Sequence, residues 1–595
     1  MSMTNPAATA AATPGAAHPE ATGAAEQLRT QADAFWDRFM AEYPTWATIV
    51  GDRRYDDRLE DISPDGVARR LAWLDEVATN AAAIPVDGLS SMERVTRQML
   101  IDEAANQARS IRTRVNEWTV DPLQGPMMSL LDIVDYQTIT TPEDGRNMVE
   151  RFRGIGRYLD QMGAELRESA ADGRVAVENP VEKMLNILDG LMAKAPETWK
   201  IAGPAAVEHE DWKPADLEWF RANLMTVVTE VAIPAFRRYQ ETLKRDIRPL
   251  ARSSEKPGIC HIDGGLDAYR DEIRVHTTLD LAPEEIHATG LAEIARIDSE
   301  FVELGARVLG TKGLDETLAA LRSDKRLYFE SADQVFEAAK VSLARAQQAV
   351  PDWFGRIPGA ACVVVPVPSH SEVHQTIAYY SWPAMDGSRP GRYYINLYAP
   401  ETRPRYEAEA LAFHESVPGH HLQIAIAQEL PNLPAFQRML GSTAFAEGWG
   451  LYTERLCDEM GLYSSDMDRF GILSFDAWRA GRLVVDTGMH ALGWTRQQAI
   501  DFLTAHTALG SNNIVNEVDR YIVWPGQALA YKTGQLEILR LRADARERLG
   551  DRFDIKAFHD TVLGAGAISL PALRGRVEEW ITGLNDGGGS RPASA

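Results

Sequence analysis

The chain has 595 residues, 45% of them apolar and 25% charged, and a formal net charge of −24 at pH 7. That length exceeds one typical domain and predicts at least one large core, arranged as two lobes. A negative field of that size repels phosphate backbones and anionic membrane surfaces, so neither nucleic acid nor membrane is an expected partner.

In chain order, residues 1–25 are rich in Ala, Thr, Pro and Gly and are predicted to be disordered. They lack the basic n-region and apolar h-region of a signal peptide. No apolar run reaches the roughly 18–20 residues that span a bilayer. Cys260, Cys362 and Cys457 are too few and too scattered for a disulfide framework or a cysteine zinc site. The expected compartment is therefore the reducing cytoplasm.

Residues 26–584 read as one large helical unit. Thr141-Pro142-Glu143-Asp144 and Thr495-Arg496-Gln497-Gln498 have the form of capping boxes. Met148–Ala170 carries apolar residues at helical spacing, and Pro283 stands where a first-turn proline belongs. GARVLGTKG (305–313) has the look of a phosphate loop, but its Thr-Lys order is reversed and no Walker motif results. Nor is there a G-x-G-x-x-G or G-x-S-x-G sequence, which disfavours nucleotide and serine-hydrolase readings. Residues 361–370, 375–382 and 391–400 are β-branched and aromatic and predict two or three strands. The last of these, GRYYINLYAP, is expected either as sheet core or as an edge strand open to an extended peptide. A metal-binding core is predicted over 403–460, and a disordered tail over 585–595.

The chemistry centres on LAFHESVPGHHLQI (411–424) and, further on, AFAEGWGLYTERL with Glu447. A zinc hydrolase needs three protein ligands, an open position for water, and a carboxylate to take a proton from that water. The short solution is H-E-x-x-H on one helix. Here the second histidine arrives late. On an uninterrupted helix His420 would lie about 240° around from His414 and about 9 Å along, and His421 on the same face but about 10 Å away. Pro418 cannot continue the helix undisturbed, because it lacks an N–H and its ring clashes with the carbonyl of His414. Gly419 tolerates unusual dihedrals. A bulge absorbing two residues brings His420 to an effective i+4; one absorbing three brings His421. Glu415 is the expected base. Gly448 and Gly450 are expected to let the Glu447 helix approach closely, and Glu447 reads as the third ligand.

Arg482, Asp486 and His490 fall at i, i+4, i+8 and predict one polar stripe along a helix. It is either a salt-bridged surface or part of the site, with Arg482 for a substrate carboxylate and His490 for the substrate backbone or an oxyanion. Downstream, Arg520, Tyr521, Tyr531 and Lys532 occur together. A tyrosine hydroxyl there is expected as an oxyanion donor, or else as a buried structural group.

HESVPGHHLQ, EGWGLYTERL, RLVVDTGMHALGWT and RYIVWPGQALAYKTGQL, with YPTWATIVGDRRYDDRL (43–59) and VHTTLDLAPEEIHATGL (275–291), resemble the bacterial family DUF885. That family is similar to gluzincin metallopeptidases, notably the helical M3 and M32 oligopeptidases and carboxypeptidases. The resemblance implies a mainly α fold with a small β-sheet, a zincin-like helical architecture enclosing a deep cleft. It also implies a Gly before the second metal histidine; Gly419-His420 matches, and this selects His420.

The expected function is zinc-dependent hydrolysis, with a small peptide or amide as substrate. One Zn2+ per chain is held by His414, His420 and Glu447. Glu415 is the general base, Tyr531 and His490 stabilise the oxyanion, and Arg482, His421, Tyr521 and Arg520 contact substrate. Two rivals are open at this point: an amidase or esterase on a non-peptide small molecule, and a non-catalytic metal- or ligand-binding helical protein.

Overall fold

The computed structural model describes residues 19–585, apart from 369–371, 373–375, 385–386 and 388. It is mainly helical, with one small sheet. Within the N-terminal segment expected to be disordered, residues 19–25 are helical instead: a helix begins at Pro19 and runs to Glu42. At the other end a helix spans Leu570–Asn585, so the expected tail loses its first residue to it. Residues 1–18 and 586–595 lie outside the described residues.

Local chemistry places the helix starts. Thr141 and Thr495 each accept from a backbone N–H three residues on, while the side chain at that position bonds back to the cap. Each cap satisfies two N–H groups that a helix start leaves bare. Pro283 opens a helix to Val308. The periodic stretch from Met148 is divided at Gly154 into helices Pro142–Arg153 and Ile155–Ala171.

Two main apolar cores result. One is built only from residues between Leu59 and Ile247. The other joins the N-terminal helices, the sheet, and the helices from Ala412 to Ile581. The segment 43–59 locks the two together. It forms helix Pro44–Val50, turns at Gly51 with φ 97°, and wraps its carbonyls around the fully buried Arg151. That guanidinium donates to the carbonyls of Pro44, Tyr55 and Arg58, to Thr48 Oγ1 at 2.8 Å and to Gln137 Oε1 at 2.9 Å. This motif is structural, since it supplies the acceptors that a buried cation requires.

The sheet comprises β1 (Cys362–Pro366), β2 (Ala378–Ser381) and β3 (Gly391–Ile395), in the order β1-β3-β2. β3 runs parallel to β1 and antiparallel to β2. The edge-strand expectation for GRYYINLYAP is therefore corrected: β3 is the central strand, both its ladders are occupied, and it cannot accept a peptide strand. Its alternation buries Gly391, Tyr393 and Ile395 on the face towards the HESVPGHH segment.

Candidate metal centre

Six helices build the centre: α1 (Ala408–Glu415), α2 (His420–Gln428), α3 (Thr443–Glu459), α4 (Arg469–His490), α5 (Ser511–Val523) and α6 (Ala530–Leu549). The break between α1 and α2 is the device that assembles it. Pro418 offers no N–H to the His414 carbonyl, so the regular ladder stops. The Gly419 N–H donates instead to the Phe413 carbonyl at 3.0 Å, and the His421 N–H to that of Ser416 at 3.0 Å. A Cβ on Gly419 would stand 1.9 Å from the His414 carbonyl oxygen, so only glycine fits. The Val417–Pro418 peptide is cis, and Trp449 Nε1 donates to the Pro418 carbonyl at 2.9 Å.

The interruption resets the helical phase. The His414 and His420 rings come to 4.7 Å between centroids at 86°. Glu447 Oε2 lies 3.7 Å from His414 Nε2 and 3.5 Å from His420 Nε2. One ligand atom from each of the three residues lies within 4.8 Å of the others, the single such group among the described residues. Two imidazoles and a carboxylate are a donor set that suits zinc.

The two glycines beside Glu447 act differently. Gly450 makes room for His414, whose Cε1 would be 2.7 Å from an added Cβ. Gly448 instead meets α6, where an added Cβ would lie 2.4 Å from the Gly534 carbonyl carbon.

Sequence reasoning missed Glu454. Its Oε1 accepts from His414 Nδ1 at 2.8 Å, and the residue is 1% exposed. This fixes the tautomer and leaves Nε2 as the lone-pair donor. Spacing held a signal: Glu447 and Glu454 are seven apart on α3, hence on one face. Burial alone would depress the His414 pKa, but Glu447 and Glu454 outweigh it and raise it to about 10. Burial would likewise raise the Glu447 carboxyl, yet His414 and His420 hold it well below the usual carboxylate range. Glu454→Gln keeps the shape but removes the charge behind His414. It is expected to weaken zinc affinity about 10–100-fold with all three ligands intact. Competition against a chelating dye measures this, and unchanged affinity would remove Glu454 from the site.

Glu415 is half-buried, and among the described residues it has no hydrogen bond or ion pair. α3 and α6 run side by side in register: Gln535 Nε2 donates to the Leu451 carbonyl at 3.0 Å, and Arg542 pairs with Glu459 at 2.6 Å. Tyr531 lies one turn before Gln535 on α6, as Glu447 lies one turn before Leu451 on α3. Its hydroxyl has no protein partner among the described residues, and its ring lies 4.3 Å from the Arg482 guanidinium carbon.

Other expected contacts are corrected. His421 faces the sheet: its Nδ1 accepts from Tyr380 Oη at 2.8 Å, and its Nε2 donates to the Ala360 carbonyl at 3.1 Å. Burial lowers its pKa to about 4, and neither nitrogen is free for a substrate. His490 is fully buried, accepting from the Ile259 N–H at 3.2 Å and donating to the Tyr521 carbonyl at 2.9 Å. Burial lowers it to about 3, so it is a neutral structural histidine and no oxyanion donor. Tyr521 Oη is enclosed, accepting from Arg482 Nε at 2.9 Å and donating to Glu517 at 2.6 Å. Arg520 binds Gln527 at 2.6 Å, and Lys532 is buried between Asp476 and Glu293. Asp486 accepts from Tyr269 Oη and the Gly526 N–H, so Asp486 and His490 of the expected polar stripe are interior scaffold. A cavity of about 470 Å3 lined by Asp102, Arg109 and Arg274 contains none of these residues.

Residues 44–577 match the family model described as "Bacterial protein of unknown function (DUF885)". Among solved structures, a candidate lipoprotein from Colwellia psychrerythraea is 26% identical with a TM-score of 0.87, covering 95% of this chain and 100% of that one. A candidate lipoprotein of unknown function from Shewanella oneidensis is 18% identical with a TM-score of 0.74, covering 92% and 99%, and shows the fold alone. No curated protein matches. The lipoprotein designation is that of those two proteins; among the described residues here, no helix is long and apolar enough to cross a membrane.

Proposed function

The chain belongs to the DUF885 family, and from that premise we propose that it is a zinc-dependent hydrolase, a gluzincin-like metallopeptidase that cleaves small peptides in a cleft beside the sheet. One observation carries the reading: His414, His420 and Glu447 converge within 4.8 Å, with the carboxylate of Glu415 adjacent in sequence and uncommitted. A protein that only stored a metal would have no need of a free base beside its ligands.

Zinc held by these three residues would supply a Lewis acid that brings the pKa of water to about 7. Glu415 accepts the proton of the attacking water and returns it to the leaving nitrogen. The Tyr531 hydroxyl donates to the carbonyl oxygen as that oxygen becomes negative, with the Arg482 cation behind its ring. Glu454 holds the His414 ring in orientation. Cys260, Cys362 and Cys457 are free thiols, which suits a reducing compartment such as the cytoplasm.

The purified protein is expected to carry about one zinc per chain. It is expected to hydrolyse a mixed peptide pool, to lose that turnover on chelation, and to regain it with zinc. Turnover of acyl esters alone would move the substrate class. Stoichiometric zinc without turnover of any pool would make the chain a metal-binding protein.

A further inference from the structure

Arg479 lies one turn before Arg482 on α4. It is 6% exposed and Arg482 is 2% exposed. The Arg479 guanidinium carbon sits 4.4 Å from the Trp478 ring centroid and 4.7 Å from that of Phe475. The same Trp478 ring carries Arg482 at 4.6 Å. Aromatic faces attract a guanidinium but give nothing to the N–H groups on its edge.

Those edges are bare. Among the described residues, Nε and Nη1 of Arg479 have no hydrogen-bond partner, and neither has Nη1 of Arg482. Glu517 and Tyr521 take the other side of Arg482. Arg479 forms no ion pair at all among the described residues. Glu407, whose carboxyl feels its charge, accepts from Ser474 Oγ at 2.6 Å and is raised by burial to about 7, so it is a poor counter-ion. Elsewhere the buried cations are answered: Arg151 by five acceptors, Lys532 by Asp476 and Glu293. A buried cation without a partner costs several kcal/mol, and buried donors are left open where a ligand completes them.

The position relates to the metal centre. Arg482 contacts the ring of Tyr531, which is on α6, the helix that packs through Gly534 against Gly448 beside Glu447. Glu407 precedes Glu415 by eight residues, about 12 Å along the helix axis. An extended peptide covers that distance in about four residues.

We propose that Arg479, with the free edge of Arg482, is the receptor for a carboxylate of the substrate, so that the site selects short peptides bearing a negative charge a few residues from the scissile bond. This rests on the peptide-hydrolase reading. The carboxylate is supplied by the peptide C-terminus or by an acidic side chain, and the planar fork of a guanidinium matches either.

The test is equilibrium dialysis with zinc-loaded Glu415→Gln protein against three pools of N-acetylated tetrapeptides: free acids without acidic residues, the same peptides as C-terminal amides, and amides with one internal glutamate. At least one charged pool is expected to bind about tenfold or more tightly than the neutral amides. The free-acid pool doing so assigns the C-terminus; the glutamate amides doing so assign a side chain. Arg479→Met is expected to bring the charged pools down to the neutral level. If that variant does not fold, Arg479→Lys carries the test and is expected to lose most of the preference, since a point charge lacks the fork. Equal binding of all pools, binding of none, or a preference that survives both substitutions overturns the proposal. Wild-type protein that hydrolyses neutral amides as fast as acids keeps the hydrolase reading and loses this one. A preference for acids without any turnover does the reverse.

Discussion

Glu415→Gln is expected to lower turnover by about 10²–10⁴-fold while zinc content and melting temperature stay at wild-type values. The amide is isosteric with the carboxylate but cannot accept a proton at neutral pH. Glu415 has no hydrogen bond or ion pair among the described residues, so its replacement breaks no contact of the fold. It is not one of the three converging residues, so the metal should remain. Loss of rate with retained metal therefore separates a base from a ligand. Turnover at the wild-type rate would show that another group accepts the proton, and loss of zinc would make Glu415 a ligand.

His420→Ala is expected to strip the protein of zinc, whereas His421→Ala is expected to leave zinc bound and lower stability. His420 Nε2 is 3.5 Å from Glu447 and its ring 4.7 Å from that of His414, so its removal leaves two ligands where three are required. His421 points the other way. Its loss would leave the buried Tyr380 hydroxyl and the Ala360 carbonyl without a partner, a cost of about 1–3 kcal/mol for each unsatisfied group. Metal analysis and thermal melting of both variants read the two effects independently. Zinc lost from His421→Ala and kept by His420→Ala would show that the helix break between Glu415 and His420 absorbs three residues of phase, not two.

The same pair shows how far sequence reasoning reaches. HESVPGHH marks the candidate site because it gathers three histidines and a glutamate, all metal-ligating residue types, within eight residues. Pro418 and Gly419 also announce a break, because one lacks an N–H and the other lacks a Cβ. Geometry then divides neighbours: His420 turns to His414 and Glu447, and His421 to Tyr380. Glu447 and Glu454 are equally plain on a helical wheel, but which imidazole nitrogen each carboxylate meets depends on how α3 lies across α1. That crossing is set by Gly450 against His414, while Gly448 against Gly534 sets how closely α6 approaches α3.

The sequence by itself determined the helical class, a small sheet between 361 and 400, the capping boxes at Thr141 and Thr495, and the cluster of metal-ligating residue types. All of these follow from periodicity and from side-chain chemistry within a few residues, which act before the chain packs. Only the tertiary structure decided the rest: that β3 lies in the middle of its sheet, that His490 and Tyr521 are spent on the scaffold, and that Arg479 has no ion-pair partner among the described residues. α4 is the clearest case. Every residue from Phe470 to His490 except Trp478 is buried. Such a helix has no polar face, so its periodicity cannot tell a structural arginine from a binding one. That distinction is made by the groups packed around each guanidinium, and they come from segments far apart in the chain.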